Sequence, residues 1–98
     1  MKKITVSQIM KWHPCDRYPK ERVRELIGSG KTLFEMLKFA IPRADKEWVA
    51  MHILVSNKNG ARIYYQIFRL WLRNELSDTQ YYNRVIKATQ KFLKEKAS

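Results

Sequence analysis

The sequence predicts a compact all-α fold of about six short helices, forming a single helical domain over residues 1–98. Three observations lead to this prediction. Helix start and stop signals are frequent along the chain, apolar residues recur at the helical period, and the connections between periodic segments are about two to six residues long. A chain of 98 residues also has the usual size of one domain.

Most helix starts are predicted from a residue type that caps N-termini, because Ser, Thr and Asp side chains accept hydrogen bonds from the free N–H groups of a first turn. Three starts also have Gln or Glu three residues later, which completes a capping box, and Pro or Gly ends several helices. The first helix is expected over about 6–12, between the cap Thr5 and Pro14, the second from Asp16 or Tyr18 to Gly28, and the third from Thr32 to Ala40. The fourth is expected from Asp45 to a turn at 57–60, the fifth over 61–75, and the sixth from Ser77 onward.

The segment around Asn59-Gly60 leaves a second interpretation open. Asn-Gly is a preferred pair for a two-residue β-hairpin turn, and residues 53–55 and 63–65 on either side are rich in β-forming residues. The helical period continues through both flanks, which also run on for longer than strands do. The sequence therefore favours two helices over a hairpin.

Positive charge is the strongest functional signal in this chain. Twenty Lys and Arg residues oppose nine Asp and Glu residues, which gives a formal net charge of +11. Residues 1–60 contain 12 basic and 6 acidic residues, whereas residues 61–98 contain 8 and 3, so the excess is denser in the C-terminal part. This balance indicates an acidic partner.

The charge is ordered on the last two predicted helices. At about 100° per residue, the basic residues of the fifth helix lie on one stripe, and almost all its other residues are apolar, so we expect this helix to be central in the fold. On the sixth helix the basic residues lie opposite an apolar side formed by Tyr82, Val85, Ile86, Phe92 and Leu93. The candidate nucleic-acid-binding residues, called the basic rows below, are Arg62, Arg69, Arg73, Arg84, Lys87, Lys91 and Lys94.

Rows of this kind suit phosphates, since each neutralised phosphate releases counterions and arginine can hold two oxygens at once. We therefore predict a small cytoplasmic protein that binds DNA or RNA electrostatically, without catalysis, cofactor or membrane association. Two alternatives remain open: a merely solvated face, and a protein-interaction module or inhibitor that docks an acidic surface of a host or phage protein complex. Tyr64, Tyr65, Trp71 and Tyr82 could stack on bases, but their helical spacing favours a core role.

Lys31 and Thr32 form a second candidate site, for an isolated phosphate. The stretch 28–32 is similar to the end of a P-loop, but Glu25 stands where that motif needs glycine, and a helix is expected where a strand should precede. An ATP or GTP site is therefore not predicted. Free N–H groups at Thr32 and Leu33 beside Lys31 would still suit a phosphate.

The histidines and the single cysteine predict neither a metal site nor an enzyme. A zinc ion in a protein is usually held by about four ligands, and His13, Cys15 and His52 are too few to supply them. Cys15 near a helix N-terminus could be reactive, although a small buried residue at a corner is the favoured interpretation. His52 is expected to be a hydrogen-bonded core histidine. No nucleophile–base pair or carboxylate dyad is evident.

The first half of the chain resembles small proteins carried by phages and prophages. The residues that carry this resemblance are Trp12-His13-Pro14-Cys15, Tyr18, Glu21-Arg22-Val23, Leu26, Ile41-Pro42-Arg43, Asp45 and Trp48. The resemblance implies an origin in a phage or another mobile element. It assigns no chemistry and no functional residue.

A second resemblance is to excisionase-like helix-turn-helix domains, through residues 4–10, 21–27 and 29–31. In that family a short helix leads to a recognition helix that is followed by Gly-Lys or Gly-Arg and a wing. Here Pro14 and Pro19 lengthen the turn, and the segment in the place of the wing has an apolar helical pattern. The resemblance implies that the residues facing DNA would be Arg17, Lys20, Arg22 and Arg24.

Overall fold

The computed structural model describes residues 3–97, with the side chains of residues 3–95, and confirms the all-α fold class. Within these residues there are six helices and no β-strand: α1 (Val6–Lys11), α2 (Lys20–Ile27), α3 (Leu33–Met36), α4 (Arg43–Val55), α5 (Lys58–Leu72) and α6 (Asp78–Ala97). The contacts divide the chain into an N-terminal unit, up to Ala40, and a C-terminal unit, from Ile41.

The N-terminal unit contains α1, α2 and α3. α1 begins with the predicted capping box, in which the Gln8 N–H donates to Thr5 Oγ1 at 3.2 Å and the Thr5 N–H donates to Gln8 Oε1 at 3.0 Å. The backbones of Ile4 and Lys31 form an isolated antiparallel bridge with N···O distances of 2.6 and 3.0 Å. The buried apolar residues of this unit are Ile4, Ile9, Val23, Ile27, Leu33 and Met36.

The start of α2 differs from the prediction, but its end does not. Pro19 occupies the N-cap position, and no side chain caps the helix, so neither Asp16 nor Tyr18 has the expected role. The backbone of Pro19 is extended, with φ −63° and ψ 160°, as is usual for an N-cap residue. The predicted end at Gly28 is confirmed: its φ is 57°, and its N–H donates to the Arg24 carbonyl oxygen at 2.8 Å.

α3 is shorter than predicted and does not reach Ala40. After its single turn the chain tightens to hydrogen bonds between residues three apart: Lys38 N–H donates to the Glu35 carbonyl at 3.2 Å and Phe39 N–H to the Met36 carbonyl at 3.0 Å. This tighter winding ends the α-helix.

The C-terminal unit contains α4, α5 and α6, each of which contacts the other two. α4 begins at Arg43 behind Pro42, so Asp45 is not its N-cap as predicted. Asp45 lies in the first turn instead, where a carboxylate interacts favourably with the helix dipole. The buried residues of α4 are Val49, Ala50, Ile53 and Leu54.

The predicted turn at 57–60 is wrong, because α5 already begins at Lys58. Asn57 is its N-cap, and the Asn57 side-chain oxygen accepts a hydrogen bond from the Asn59 N–H at 2.9 Å. Gly60 is therefore a buried residue of the first helical turn. The alternative β-hairpin is also wrong, since residues 53–55 and 63–65 are helical.

α5 ends at Leu72, three residues before the predicted end, in a left-handed C-terminal motif. Asn74 has a φ of 61°. The Glu75 N–H donates to the Leu70 carbonyl and the Asn74 N–H to the Trp71 carbonyl, both at 3.0 Å. These two bonds form a Schellman motif, which satisfies the last free carbonyl groups and turns the chain toward α6.

α6 is the longest helix and starts with the predicted capping box. The Gln80 N–H donates to Ser77 Oγ at 3.1 Å, and the Ser77 N–H donates to Gln80 Oε1 at 2.8 Å. Thr89 is the buried polar residue of this helix, and its hydroxyl donates to the Val85 carbonyl at 2.7 Å, with the Ala50 carbonyl 3.4 Å away. The hydroxyl therefore joins α6 to α4 without an unsatisfied polar atom.

Candidate nucleic-acid interface on the last two helices

All seven side chains of the basic rows are exposed in the structure. Three of them belong to the end and the outer face of α5, and four belong to α6. The helical period places them there, because residues three and four apart lie on the same face of a helix.

The outer face of α5 is wider than the arginine stripe, and the prediction that α5 is a central helix is wrong. Within α5 only Gly60 and Ile67 are buried. Tyr65 and Leu72 are 58% and 61% exposed, so apolar side chains lie beside the arginines. Tyr64 and Trp71 are only half-buried and Tyr65 is exposed, so the high apolar content of α5 does not correspond to full burial.

α6 separates its apolar and basic faces as predicted. Val85, Ile86 and Phe92 are buried, while Tyr82 and Leu93 are half-buried. The four basic residues opposite them are exposed. Because the apolar face of α6 is buried, its basic face is turned toward solvent.

Acidic residues are absent from the sequence of both rows. None occurs over residues 58–74 or 79–94, and only Lys91 has an acidic residue, Glu95, three or four positions away. Several basic residues are instead spaced three or four apart: Lys58 and Arg62, Arg69 and Arg73, Arg84 and Lys87, Lys87 and Lys91, and Lys91 and Lys94. Each such like-charge pair on a helix costs about 0.2–0.5 kcal/mol, a cost that a bound polyanion would relieve.

Three of the four aromatic residues that could stack on bases are half-buried and have a polar or cation–π partner within the chain. The hydroxyl of Tyr64 lies 2.6 Å from that of Tyr81, and Trp71 Nε1 donates to Asp78 Oδ1 at 2.9 Å. The ring of Tyr82 lies 5.4 Å from the guanidinium carbon of Arg43. Their core or supporting role agrees with the interpretation that the spacing favours. The fourth, Tyr65, is exposed.

A polar network that the sequence did not predict supports α5 and α6 from inside. It joins Glu47 of α4, Tyr81 of α6 and Tyr64 of α5, with Tyr81 hydrogen-bonded to both of the others. Burial raises the pKa of the Glu47 carboxyl, although the hydrogen bond from Tyr81 and the nearby Arg43 guanidinium act in the opposite direction. Burial, followed by the hydrogen bond with Tyr64, also raises the pKa of the Tyr81 hydroxyl.

One sequence signal could have revealed Glu47. Glu47 precedes Ala50 by three positions and Leu54 by seven, so it lies on the face of α4 that carries the core. An acidic residue on such a face needs a partner, and a tyrosine hydroxyl is one that an apolar environment tolerates.

The candidate phosphate site at Lys31 and Thr32 is not formed as predicted. The Thr32 N–H donates to Glu35 Oε1 at 2.9 Å, and Thr32 Oγ1 accepts the Glu35 N–H at 3.2 Å. The hydrogen bond from the Thr32 backbone lowers the pKa of the Glu35 carboxyl. A carboxylate of the chain itself therefore occupies the position that the phosphate would need, and the Thr32 N–H is not free.

Cys15 is exposed, so the prediction of a buried corner residue is wrong. It begins a turn in which the Tyr18 N–H donates to the Cys15 carbonyl at 2.9 Å, and turns of this kind lie at the surface. His52 is half-buried, with its ring 4.4 Å from that of Trp48 in an edge-to-face arrangement, and burial lowers its pKa. Among the residues that the structure describes, no three His, Cys, Asp or Glu side chains come together as a set of metal ligands.

The residues that the helix-turn-helix resemblance assigned to DNA are all exposed, on α2 and the turn before it. They differ from the basic rows in their neighbours, because Glu21 and Glu25 alternate with the basic residues of α2. Arg22 also has an internal contact, with its guanidinium carbon 5.1 Å from the centre of the Tyr18 ring. Where the resemblance implies a wing, the chain forms α3.

No known protein family, curated protein or solved structure matches this chain significantly. In the part of the chain that the structure describes, no helix is both long and apolar enough to cross a membrane.

Proposed function

We propose that this chain is a small basic protein of phage or mobile-element origin that binds nucleic acid in the cytoplasm through the basic rows, without catalysis. One observation carries the proposal: all seven basic side chains are exposed, and no acidic residue occurs over 58–74 or 79–94, the two stretches that contain them. A face that is merely solvated does not require basic residues to be kept apart from acidic ones. The exposed residues of α2 illustrate this, because they include both Lys or Arg and Glu.

The binding is directed at the phosphate backbone. Each phosphate that a Lys or Arg neutralises releases condensed counterions, and the resulting gain does not depend on base sequence. Arginine adds geometric fit, since its planar guanidinium donates two hydrogen bonds to one phosphate. The affinity is therefore strongly salt-dependent, and the preference among sequences is weak.

A charge-reversal experiment tests this proposal. Binding of a labelled 20-nucleotide strand and of its duplex is followed by fluorescence anisotropy at about 50 mM salt. The test variant is Arg69→Glu with Arg73→Glu. The matched control is Lys20→Glu with Arg24→Glu, which removes the same positive charge from exposed positions on α2.

We expect the test variant to lose at least about tenfold in affinity and the control to stay within about threefold of the wild type. An equal loss in both would show that only net charge matters, whereas loss in the control alone would favour the helix-turn-helix resemblance. Absence of binding by the wild type would refute the proposal, and the acidic protein surface would become the partner to test.

A further inference from the structure

We propose that the α5 row, which consists of Arg62, Arg69 and Arg73, selects single-stranded nucleic acid, with Tyr65 as the residue on which a base stacks. This inference rests on the proposed function and specifies its ligand. It begins from the 58% exposure of the Tyr65 ring, which is unusual for an aromatic residue of a packed helix.

Tyr65 differs from the other aromatic residues of α5 in being available. Tyr64 is half-buried and tied to Tyr81 by their hydroxyl groups, and Phe68 stacks on Tyr64 with ring centres 5.8 Å apart. Trp71 is half-buried and donates its Nε1 hydrogen to Asp78. The Tyr65 ring contacts this cluster through a T-shaped contact with Tyr64, at 5.8 Å between ring centres. That contact steadies the ring while most of its surface stays accessible.

The position of Tyr65 in the row matches the needs of a stacking residue. Arg62 lies three residues before it and Arg69 four residues after it, so both arginines are its neighbours on the helix surface. A strand held by its phosphates at the two arginines would bring a base to the ring between them. Basic grooves with interleaved aromatic residues bind single strands in this way.

Single strands fit this arrangement better than a duplex does. In a duplex the faces of the bases are covered by their neighbours, and only the base edges and the phosphates are accessible. In a single strand a base can unstack and cover a tyrosine ring. Tyr65 therefore adds affinity for single-stranded DNA or RNA and adds little for duplex DNA, whereas the arginines contribute to both.

The test compares Tyr65→Ala and Tyr65→Phe with the wild type on oligo-dT, oligo-rU and a DNA duplex, all of about 20 nucleotides. Phe34→Ala is the matched control, because Phe34 is 55% exposed and has the Lys38 ammonium 4.7 Å from its ring centre, but belongs to the N-terminal unit. Circular dichroism verifies that each variant is folded.

We expect Tyr65→Ala to lose about five- to 100-fold in affinity for the single strands and less than about twofold for the duplex. Tyr65→Phe and Phe34→Ala should keep an affinity within about twofold of the wild type, since both variants still have an aromatic ring at position 65. A loss of affinity for oligo-dT or for oligo-rU supports stacking.

The two proposals fail in different ways. If the wild type binds single strands and duplex alike, and Tyr65→Ala changes neither, stacking is overturned while electrostatic binding stands. If the wild type binds none of the three ligands, both are overturned.

Discussion

Replacing Gly60 by alanine tests how closely α5 approaches the end of α4. Gly60 is buried in the first turn of α5, and a Cβ atom at this position would overlap the carbonyl oxygen of Leu54 and lie 3.0 and 3.1 Å from its carbonyl carbon and Cα. In an open helix this substitution would stabilise the protein by about 1 kcal/mol. Here the obstructing atoms belong to a fully buried backbone segment, so they cannot move aside as a flexible side chain would.

Overpacking costs about 1–3 kcal/mol, and overlap with backbone atoms places Gly60→Ala at the upper end, about 2–3 kcal/mol. After the helix gain of about 1 kcal/mol is subtracted, the net change is a destabilisation of about 1–2 kcal/mol. For a chain of this size that lowers Tm by about 5–15 °C, which thermal unfolding followed by circular dichroism measures directly. Asn59→Ala, at an exposed neighbouring position, is the control and should stay within about 0.5 kcal/mol of the wild type. A Tm for Gly60→Ala equal to or above that of the wild type would refute the close approach.

Three further predictions concern a cap, a carboxyl group and a thiol. Ser77→Ala removes the acceptor of the Gln80 N–H and should cost about 1 kcal/mol in urea unfolding; an unchanged midpoint would contradict the capping box. Since burial raises the pKa of Glu47 above its ordinary value of 4.5, folding takes up a proton there, and this contribution to stability is complete below pH 4.5 and is lost as the pH rises through the raised pKa. Glu47→Gln should therefore have a higher Tm than the wild type near neutral pH but not in acid, even though the substitution alters the hydrogen bond with Tyr81. The same difference in Tm at neutral and acid pH would contradict a raised pKa of Glu47. Cys15 should react with Ellman's reagent in the folded protein, whereas a reaction that needs denaturant would mean that the thiol is buried.

The features that could be predicted from the sequence are those that neighbouring residues determine. All three capping boxes form as predicted, because the two residues of each box are three apart and satisfy each other: Thr5 and Gln8, Thr32 and Glu35, Ser77 and Gln80. The exposure of the basic rows also follows from local sequence, since the helical period opposes them to the apolar residues of α6 and, in part, of α5.

The features that the sequence did not predict depend on contacts between distant residues. Asn59-Gly60 is typical of a turn, yet Gly60 serves a close approach to Leu54, which only the packed structure reveals. The pairing of Glu47 with Tyr81 joins residues 34 positions apart. Cys15 lies in a segment without helical period, where no pattern indicates burial or exposure.

The separation of charge within the chain has a consequence for how the protein would hold a strand. α2 carries both signs, so its surface neither attracts nor repels a polyanion strongly, whereas α5 and α6 carry exposed basic residues with few acidic neighbours. A polyanion that meets α5 and α6 would therefore encounter positive charge with little compensation from acidic residues. Tyr65 would act only after this encounter, because stacking needs contact.

The salt dependence of binding is the most direct measurement of phosphate recognition by the basic rows. The logarithm of the association constant for a 20-nucleotide strand, plotted against the logarithm of salt concentration, should have a slope between about −3 and −6 for the wild type. Arg69→Glu with Arg73→Glu should make this slope shallower by about two, since two phosphate contacts are lost. A wild-type slope near zero, or the same slope in both proteins, would contradict binding of nucleic acid through these rows.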